Sequence, residues 1–423
     1  MDFRETIAGL VRVWYGIDAL GRDEPNMGSR DLATPKGFLF STAGAAIKKP
    51  GRRDLALIYS EKEALMSGMF TTNKVKAAPV RLDMKRIASG KGQAIIVNSG
   101  NANACTGRQG EEDALAMTKL VAAALRLKEK SVYVCSTGVI GQPLPMKRIA
   151  SKIDGLAKSL GASTLDDVAA AIMTTDSFPK VVSRVMKIGK RKGTIAGVCK
   201  GAGMICPNMA TMLSFLITDI NISGRALDRA FRDAVQGSFN RVTVDGDMST
   251  NDTILMMANG LAENDLVDER SRSFSLFSKG LSDVAGALSR LIVKDGEGAT
   301  KLVEITVKNA VTKADAEKGA YAIANSLLVK TALYGNDANW GRIIAALGYS
   351  GITMREERTD IYVGRVKITN KGLSTGSDRE AGAALRSKEV SLTVDLHLGT
   401  AFAKVLTCDL TEEYVRINAG YRS

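Results

Sequence analysis

The stretch Lys200–Asp219 constrains this chain more than any other segment does. A glycine-rich loop leads through Ala210 and Thr211 into the apolar run Met212–Thr218. A short apolar run of this kind predicts a buried strand, which would hold the residue before it on a rigid edge. A threonine at that edge can act as a nucleophile, and it can also attack the peptide carbonyl that precedes it.

Cleavage of the bond between Ala210 and Thr211 would make the threonine an N-terminal residue. Its hydroxyl and its new α-amine would then sit on adjacent carbons, a pair in which the amine serves as the base for the hydroxyl. The α-amine has an ordinary pKa of about 7.7–8, which suits proton transfer near neutral pH. The alternative is an unreactive threonine that opens a buried strand.

Histidine chemistry is almost excluded, because the 423-residue chain has one histidine, His397. Apolar and polar residues alternate over Leu392–Leu398, which predicts a strand with His397 on its polar face. A Ser-His-Asp triad is possible only through this residue, and zinc motifs rich in histidine are absent from the sequence. An enzyme of this composition must find its base elsewhere, and an N-terminal amine would serve.

Composition narrows the cellular setting and the partners. The five cysteines are odd in number and lack CxxC spacing, so we expect a reducing compartment. The sequence shows no apolar run long enough for a membrane span and no signal-peptide pattern, which predicts a cytoplasmic protein without membrane contact. The net charge is +13, yet aromatics are only 5% and no nucleic-acid module is evident. We therefore favour solvated basic turns over nucleic-acid binding, which stays the alternative from a different class.

Strand and helix patterns alternate along the chain and predict mixed α/β layers. Gln93–Asn98 reads as a strand that is followed by a helix over about Glu111–Leu127. The order then repeats, with a strand at Ser131–Cys135, a turn at Ser136–Gly138 and a helix over about Met146–Leu160. We expect an N-terminal extension at 1–30, a main catalytic α/β lobe at 31–295 and a smaller C-terminal lobe at 296–423.

The segment Ser238–Asp252 is unusually dense in polar side chains and predicts a strand–turn–strand. Its three acids, Asp245, Asp247 and Asp252, are compatible with a metal site. We favour a hydrogen-bonded scaffold beside an active site and expect no metal.

Several ordered motifs together make the chain resemble the ornithine acetyltransferase family, bifunctional arginine-biosynthesis enzymes also called glutamate N-acetyltransferases. The resemblance extends from about Pro35 to Ser423. The motifs that carry it are Phe70–Pro79, Asn98–Ala104, Ser136–Gly138, Met173–Asp176, Lys200–Met204, Asn208–Leu213 and Ile417–Ser423.

The resemblance implies that Thr211 is the nucleophile, freed by self-cleavage after Ala210, and that Thr137 and Gly138 form its oxyanion hole. The substrate contacts that it implies are Thr174, Lys200, Thr211, Glu297, Asn418 and Ser423. Thr175 and Ser177 are alternatives to their neighbour Thr174. Lysine suits a substrate carboxylate and glutamate suits an ammonium group, so Lys200 and Glu297 fit these roles.

The resemblance also implies a fold and a reaction. The fold is an α/β, layered αββα-type sandwich of the ornithine acetyltransferase or N-terminal-nucleophile kind, with a smaller C-terminal α/β lobe. The reaction moves an acetyl group from N2-acetylornithine to glutamate through an acyl-Thr211 enzyme, without a cofactor, and leaves acetyl-CoA open as a second donor. The expected assembly is a heterotetramer of two α chains (1–210) and two β chains (211–423). The alternative within enzymes is an N-terminal-nucleophile aminopeptidase, in which water accepts the acyl group.

Overall fold

The computed structural model describes residues 32–206 and 212–420. The predicted extension at 1–30, the two residues of the cleavage bond, Ala210 and Thr211, and the last residue, Ser423, lie outside this range. The chain forms two compact units, each assembled from several segments. The first unit comprises Met1–Lys200, Thr211–Phe239 and Ser249–Leu288, and the second comprises Gly201–Ala210, Asn240–Met248 and Ser289–Ser423. The predicted single boundary between residues 295 and 296 stays a prediction.

The first unit is built on an eight-stranded sheet in the order β4-β3-β2-β8-β7-β6-β5, with β1 also paired to β2. Its strands are β1 Phe38–Ala43, β2 Leu55–Phe70, β3 Lys91–Asn101, β4 Val132–Val139, β5 Lys180–Ile188, β6 Arg191–Lys200, β7 Leu213–Thr218 and β8 Thr253–Ala258. Strands β3 and β4 are parallel, as are β7 and β8, whereas the other neighbours are antiparallel.

Helices cover both faces of this sheet. They are α1 Ala78–Arg86, α2 Gly107–Leu125, α3 Met146–Lys158, α4 Leu165–Ile172, α5 Gly224–Gly237 and α6 Arg272–Lys294, the last of which ends in the second unit. Successive side chains of a strand point to opposite faces, so Ile95 and Val97 of β3 pack in one core with α4, while Ala94 and Ile96 pack in another with α2 and α3. Each fully buried aliphatic side chain of this kind contributes about 1.5–3 kcal/mol. The predicted layered α/β class is confirmed.

The predicted helices are present with shifted ends. The helix expected over Glu111–Leu127 is α2, Gly107–Leu125, and it stops where Arg126 takes a left-handed conformation with φ of 56°. The helix expected over Met146–Leu160 is α3. At the start of α4, Thr164 and Asp167 form a capping box, which satisfies backbone N–H groups that a helix leaves unpaired.

The turn expected at Ser136-Thr137-Gly138 is wrong, because β4 continues through these residues to Val139. Serine, threonine and glycine favour turns locally, but here the backbone pairs in parallel with Asn98–Gly100 of β3. The pairing across the sheet outweighs the local preference.

The strand–turn–strand expected over Ser238–Asp252 is also wrong. Within this segment the structure has a 3-10 turn at Phe239–Arg241 and a loop, and β8 begins only at Thr253. A side chain takes the place of the expected strand pairing. The Asp245 carboxylate accepts hydrogen bonds from the backbone N–H groups of Met204 at 2.6 Å and Ile205 at 2.9 Å. The hydrogen bonds agree with the scaffold interpretation.

The second unit contains a six-stranded sheet in the order β12-β11-β10-β13-β9-β14. Its strands are β9 Leu302–Ala310, β10 Asp360–Val363, β11 Val366–Asn370, β12 Leu373–Ser374, β13 Glu389–Asp395 and β14 Ala401–Cys408. Its helices are α7 Lys313–Asn325, α8 Leu327–Tyr334, α9 Trp340–Tyr349, α10 Asp378–Leu385 and α11 Glu412–Ala419. Alternate residues of β9, such as Val303 and Ile305, share one apolar core with Ala320 and Ile323 of α7. This unit has its own α/β core.

His397 does not lie on a strand, which corrects the expectation. Strand β13 ends at Asp395, and His397 follows it with a left-handed φ of 49°. Its Nε2 lies 3.0 Å from Oδ2 of Asp360, and its Nδ1 lies 3.5 Å from Oδ1 of Asp395. Within the described part of the chain, no hydroxyl group hydrogen-bonds to the ring, so the geometry there shows no Ser-His-Asp triad.

None of the helices between residues 32 and 420 that the structure describes has the length and apolar character needed to cross a membrane.

Candidate functional site

Strands β6 and β7 flank the candidate nucleophile in sequence. Strand β6 ends at Lys200 and β7 begins at Leu213, two residues after Thr211. All six residues of β7 are buried. The strand is hydrogen-bonded to β6 on one side and to β8 on the other, and Leu213, Phe215 and Ile217 pack in the core that also contains α4. The predicted buried strand after the glycine-rich loop is therefore confirmed.

Met212, the residue directly after Thr211, has hydrogen-bond partners for both its backbone N–H and its backbone carbonyl. Its N–H donates a hydrogen bond of 3.0 Å to Oδ1 of Asp252, and its carbonyl accepts one of 3.1 Å from the N–H of Thr253. Asp252 is fully buried. Burial raises the pKa of Asp252 well above its ordinary value, against the opposing effects of the Met212 N–H and the charge of Lys200. This carboxyl therefore resists ionisation next to the start of β7.

Thr137 and Gly138, the predicted oxyanion hole, lie near the end of β4. The Thr137 hydroxyl makes no hydrogen bond to any residue that the structure describes, so it is available as a donor to a ligand. Gly138 has φ of 135°, and a Cβ there would lie 2.4 Å from the carbonyl carbon of Gly100 and 2.5 Å from the nitrogen of Asn101. Only glycine allows β3 and β4 to approach this closely.

Lys200, the predicted partner of a substrate carboxylate, belongs to a buried group of charges. Its Nζ lies 3.9 Å from Oδ2 of Asp176, and Oδ1 of Asp176 accepts a hydrogen bond of 2.7 Å from Nζ of Lys180. The Asp176 and Lys180 side chains are fully buried, and that of Lys200 is 4% exposed. Burial alone would raise the pKa of Asp176, but the charges of Lys180 and Lys200 outweigh it and lower the pKa below its ordinary value.

Thr174 is joined to the same group through its backbone, since its N–H donates a hydrogen bond of 2.9 Å to Oδ2 of Asp176. Thr174 and Thr175 are both half-buried, whereas Ser177 is exposed. The structure thus brings two predicted substrate residues, Thr174 and Lys200, to one carboxylate.

Glu297 and Asn418, two further predicted substrate residues, meet in the second unit. Nδ2 of Asn418 donates a hydrogen bond of 2.7 Å to Oε2 of Glu297. The glycine-rich segment also fits tightly here, because a Cβ on Gly203 would lie 2.4 Å from Cδ of Glu297. Glu297 is 8% exposed, so its carboxylate lies in a largely dehydrated setting in this unit.

The predicted site residues therefore fall into three described groups. Thr137 with Gly138, and Thr174 with Lys200, belong to the first unit, and Glu297 with Asn418 belongs to the second. The roles of these residues stay predictions.

Asn251 was not predicted to be part of the site. Its Nδ2 donates to the carbonyls of Ala102 at 2.6 Å and Ser136 at 2.8 Å, and so reaches the residue before Thr137. The sequence signal for it was the density of polar side chains in Ser238–Asp252. The same loop segment also supplies Asp252.

Within residues 32–206 and 212–420, no group of three or more histidine, cysteine, aspartate and glutamate side chains is placed to hold a metal ion. Asp245 of the second unit instead accepts backbone N–H groups, as described above, and a hydrogen bond of 3.4 Å from the Tyr414 hydroxyl. Burial raises the pKa of Asp245 above its ordinary value, and these N–H donors oppose that rise.

Residues 39–423 match the sequence model of the ArgJ family. Among solved structures, the ornithine acetyltransferase of Mycobacterium tuberculosis in complex with ornithine has 36% sequence identity, with 43% of this chain and 98% of that chain covered and a TM-score of 0.40.

Two relatives match over nearly their whole length. The arginine biosynthesis bifunctional protein ArgJ of Geobacter sulfurreducens is 56% identical over 390 residues, which are 92% of this chain and 99% of that protein. The protein of the same name from Caldanaerobacter subterraneus is 51% identical over 397 residues, with 93% and 98% covered. The family match and these two relatives show that the chain belongs to the ArgJ family, the bifunctional acyltransferases of arginine biosynthesis.

Proposed function

We propose that this protein transfers the acetyl group of N2-acetylornithine to glutamate through an acyl-Thr211 intermediate. The observation that carries the proposal is the ArgJ family match over 39–423, which spans the Ala210–Thr211 bond and every candidate site residue. The structure supports it in one respect: Met212, the neighbour of Thr211, is anchored at the start of a buried strand.

The first step generates the nucleophile. The Thr211 hydroxyl attacks the Ala210 carbonyl carbon, the peptide C–N bond breaks, and the Thr211 nitrogen takes up a proton. Water then hydrolyses the resulting ester, which leaves a free Thr211 amine and hydroxyl. In the second step the amine takes the hydroxyl proton while the oxygen attacks the acetyl carbonyl carbon of N2-acetylornithine.

Ornithine then leaves, and glutamate takes the acetyl group from the enzyme. The amide C–N bond breaks, and ornithine departs with a proton from the Thr211 amine. The glutamate amine attacks the threonine ester, N-acetylglutamate forms, and the hydroxyl recovers its proton. The Thr137 hydroxyl and the Gly138 N–H would stabilise both oxyanions, each donor being worth about 3–4 kcal/mol in such sites.

The substrate contacts follow from charge. Lys200 would bind a substrate carboxylate, and Glu297, held by Asn418, would bind the side-chain ammonium of ornithine. Thr174 and Ser423 complete the proposed set of contacts. The mechanism needs no metal or organic cofactor, and acetyl-CoA as a second donor for glutamate belongs to the same proposal.

Two further parts of the proposal concern the setting of the enzyme. We place it in the cytoplasm, as a heterotetramer of two chains of residues 1–210 and two chains of residues 211–423. Light scattering of the purified, cleaved protein would measure the mass of this assembly.

The function is tested by intact mass spectrometry together with a transfer assay. We expect the purified wild-type protein to yield two chains that meet between residues 210 and 211, and Thr211→Ala to stay uncut and inactive. Acetylornithine should be consumed only when glutamate is present. Consumption without glutamate would indicate the aminopeptidase-like alternative, and an uncut wild-type chain with full activity would overturn the mechanism.

A further inference from the structure

One loop segment contacts both the neighbour of the nucleophile and the strand of the predicted oxyanion hole. Asn251 and Asp252 are adjacent in sequence, belong to the first unit and directly precede β8. Asn251 is 6% exposed and Asp252 is fully buried. Neither side chain is assigned a role in the mechanism above.

Asn251 holds the strand that carries Thr137. Its Nδ2 donates both of its hydrogens, one to the Ser136 carbonyl and one to the Ala102 carbonyl, and its Oδ1 accepts a hydrogen bond of 2.6 Å from the Thr250 hydroxyl. The amide is therefore satisfied on both sides and fixed in one orientation. Ser136 directly precedes Thr137 in β4. A displacement of the Asn251 amide would therefore displace the Ser136 carbonyl and, through the peptide bond, the backbone of Thr137.

Asp252 holds the start of β7. Its Oδ1 accepts the Met212 N–H at 3.0 Å, while its Oδ2 is buried and has no hydrogen-bond partner among the described residues. A buried polar atom without a partner is costly and is rarely kept without a reason. Asp252 therefore hydrogen-bonds the residue that directly follows Thr211 in the chain.

The loop segment itself is hydrogen-bonded to the chain that follows β2. The carbonyl of Asp252 accepts the Thr71 N–H at 2.9 Å, and the carbonyl of Ser249 accepts the Thr71 hydroxyl at 2.8 Å. The carbonyl of Thr250 accepts the Ala77 N–H at 2.9 Å. These bonds fix the segment to the chain after β2, so it can serve as a reference point for its two anchors.

We propose that Asn251 and Asp252 are a positioning pair, which sets Met212, the residue after the proposed nucleophile, and the strand of the Thr137–Gly138 oxyanion donors at a fixed spacing from each other. Asn251 acts through the Ser136 carbonyl, and Asp252 acts through the Met212 N–H. The inference rests on the proposed function, because it requires Thr211 to be the nucleophile. An oxyanion hole stabilises the transition state only when its donors are correctly placed, and a misplacement of about 1 Å can lower the rate about 100-fold.

The test compares variants of the pair with matched controls at the far ends of the same strands. Asn251→Ala, Asn251→Asp and Asp252→Ala remove the anchoring contacts, whereas Asp252→Asn keeps an uncharged acceptor for the Met212 N–H. The controls are Asn259→Ala, directly after β8, and Asp219→Ala, directly after β7. Asn259 is also a buried amide that donates to a backbone carbonyl, at 2.8 Å, and Asp219 also accepts a backbone N–H, at 2.7 Å.

The readouts are the extent of self-cleavage, kcat and KM of the cleaved enzyme, and the midpoint of thermal unfolding. We expect the three anchor-removing variants to lower kcat about 100-fold with KM changed less than about threefold, because positioning acts in the transition state. Asp252→Asn should stay within about threefold of the wild type. The controls should lower the unfolding midpoint without lowering kcat of the folded enzyme.

A double variant separates positioning from general stability. If Asn251 acts through the oxyanion strand, Asn251→Ala combined with Thr137→Val should lower kcat by less than the product of the two separate effects. The proposed positioning role of Asn251 and Asp252 is overturned if the wild type cleaves itself and transfers acetyl normally while Asn251→Ala and Asp252→Ala behave like the controls. If a variant with alanine does not fold, the comparison of Asn251→Asp and Asp252→Asn with the wild type decides the question. A wild type that neither cleaves nor transfers acetyl overturns the proposed function itself.

Discussion

The side-chain amide of Asn418 donates a hydrogen bond of 2.7 Å to the Glu297 carboxylate, and so joins two residues that are distant in sequence. The bond occupies one oxygen of a carboxylate that is 8% exposed. An anion in this setting attracts a cation strongly, because little water is present to screen it. This setting agrees with the role proposed above for the pair, binding of the side-chain ammonium of N2-acetylornithine.

Glu297→Gln keeps an acceptor for Asn418 and removes the charge. We expect KM for N2-acetylornithine to rise about 10- to 100-fold, since hydrogen bonds to charged groups are worth about 1.5–3 kcal/mol. KM for glutamate, which has no side-chain ammonium, should change less than about threefold. Steady-state kinetics with each substrate varied in turn would measure both values, and an equal rise in the two would contradict the assignment.

Thr137→Val removes the hydroxyl that has no partner among the described residues and keeps the size of the side chain. We expect kcat to fall about 100- to 1,000-fold with KM nearly unchanged, because an oxyanion donor acts on charge that develops in the transition state. Thr137→Ser restores the hydroxyl and is the matched control, with activity expected near that of the wild type. A wild-type kcat in Thr137→Val would remove this residue from the mechanism.

Asp176→Asn leaves Lys180 and Lys200 buried without their shared counter-ion. We expect the free energy of unfolding at pH 7 to fall by about 3–5 kcal/mol in urea titrations, as for other broken buried pairs. The exposed pair of Glu63 and Lys91, 2.9 Å apart, provides the control, because Glu63→Gln should cost less than about 1 kcal/mol.

The cost of Asp176→Asn should also depend on pH with a defined sign. The folded protein lowers the pKa of Asp176 below its ordinary value of 3.8, so ionised Asp176 contributes its full stability above that value. The contribution is lost as the pH falls through the lower folded pKa. The difference in unfolding free energy between wild type and Asp176→Asn should therefore be smaller at about pH 3 than at pH 7. A difference that is the same at both would contradict the pairing.

Gly138→Ala tests the close approach of β3 and β4. A Cβ at this position would lie 2.4 Å from a backbone carbon of Gly100, so we expect a loss of at least about 2 kcal/mol in stability together with impaired transfer. Gly141→Ala is the control, because Gly141 also has positive φ, 80°, but nothing lies within 4 Å of the added Cβ. A cost of only about 1–2 kcal/mol is expected there. Equal unfolding midpoints for the two variants would contradict the steric argument.

The sequence predicted those elements whose signal is local. The apolar run Met212–Thr218 gave strand β7, and the amphipathic pattern near 111–127 gave helix α2. Buried strands and amphipathic helices reveal themselves within a short window, because each has its own repeat of apolar side chains. The ends of α2 differ from the expected ones, because Arg126 stops the helix through its left-handed backbone conformation.

The sequence could not predict contacts that depend on distant partners. Asn251 bonds to Ala102 and Ser136, which lie 149 and 115 residues away. Asp176 meets Lys200 only because β5 and β6 form a hairpin that returns the chain to it. The residue types of Ser136–Gly138 predict a turn, because pairing with the distant strand β3 leaves no signal in the local sequence.

The position of β7 and β8 in the sheet determines what a cut before Thr211 would leave behind. These two strands are inserted between β2 and β6, so one fragment would contribute β1–β6 and the other would contribute the two strands in their midst. Six residue pairs join β6 to β7, and six join β2 to β8. The two fragments would stay associated through the β6–β7 and β2–β8 strand pairs and would separate only under conditions that unfold the sheet. A broken peptide bond would thus free an amine without freeing a chain.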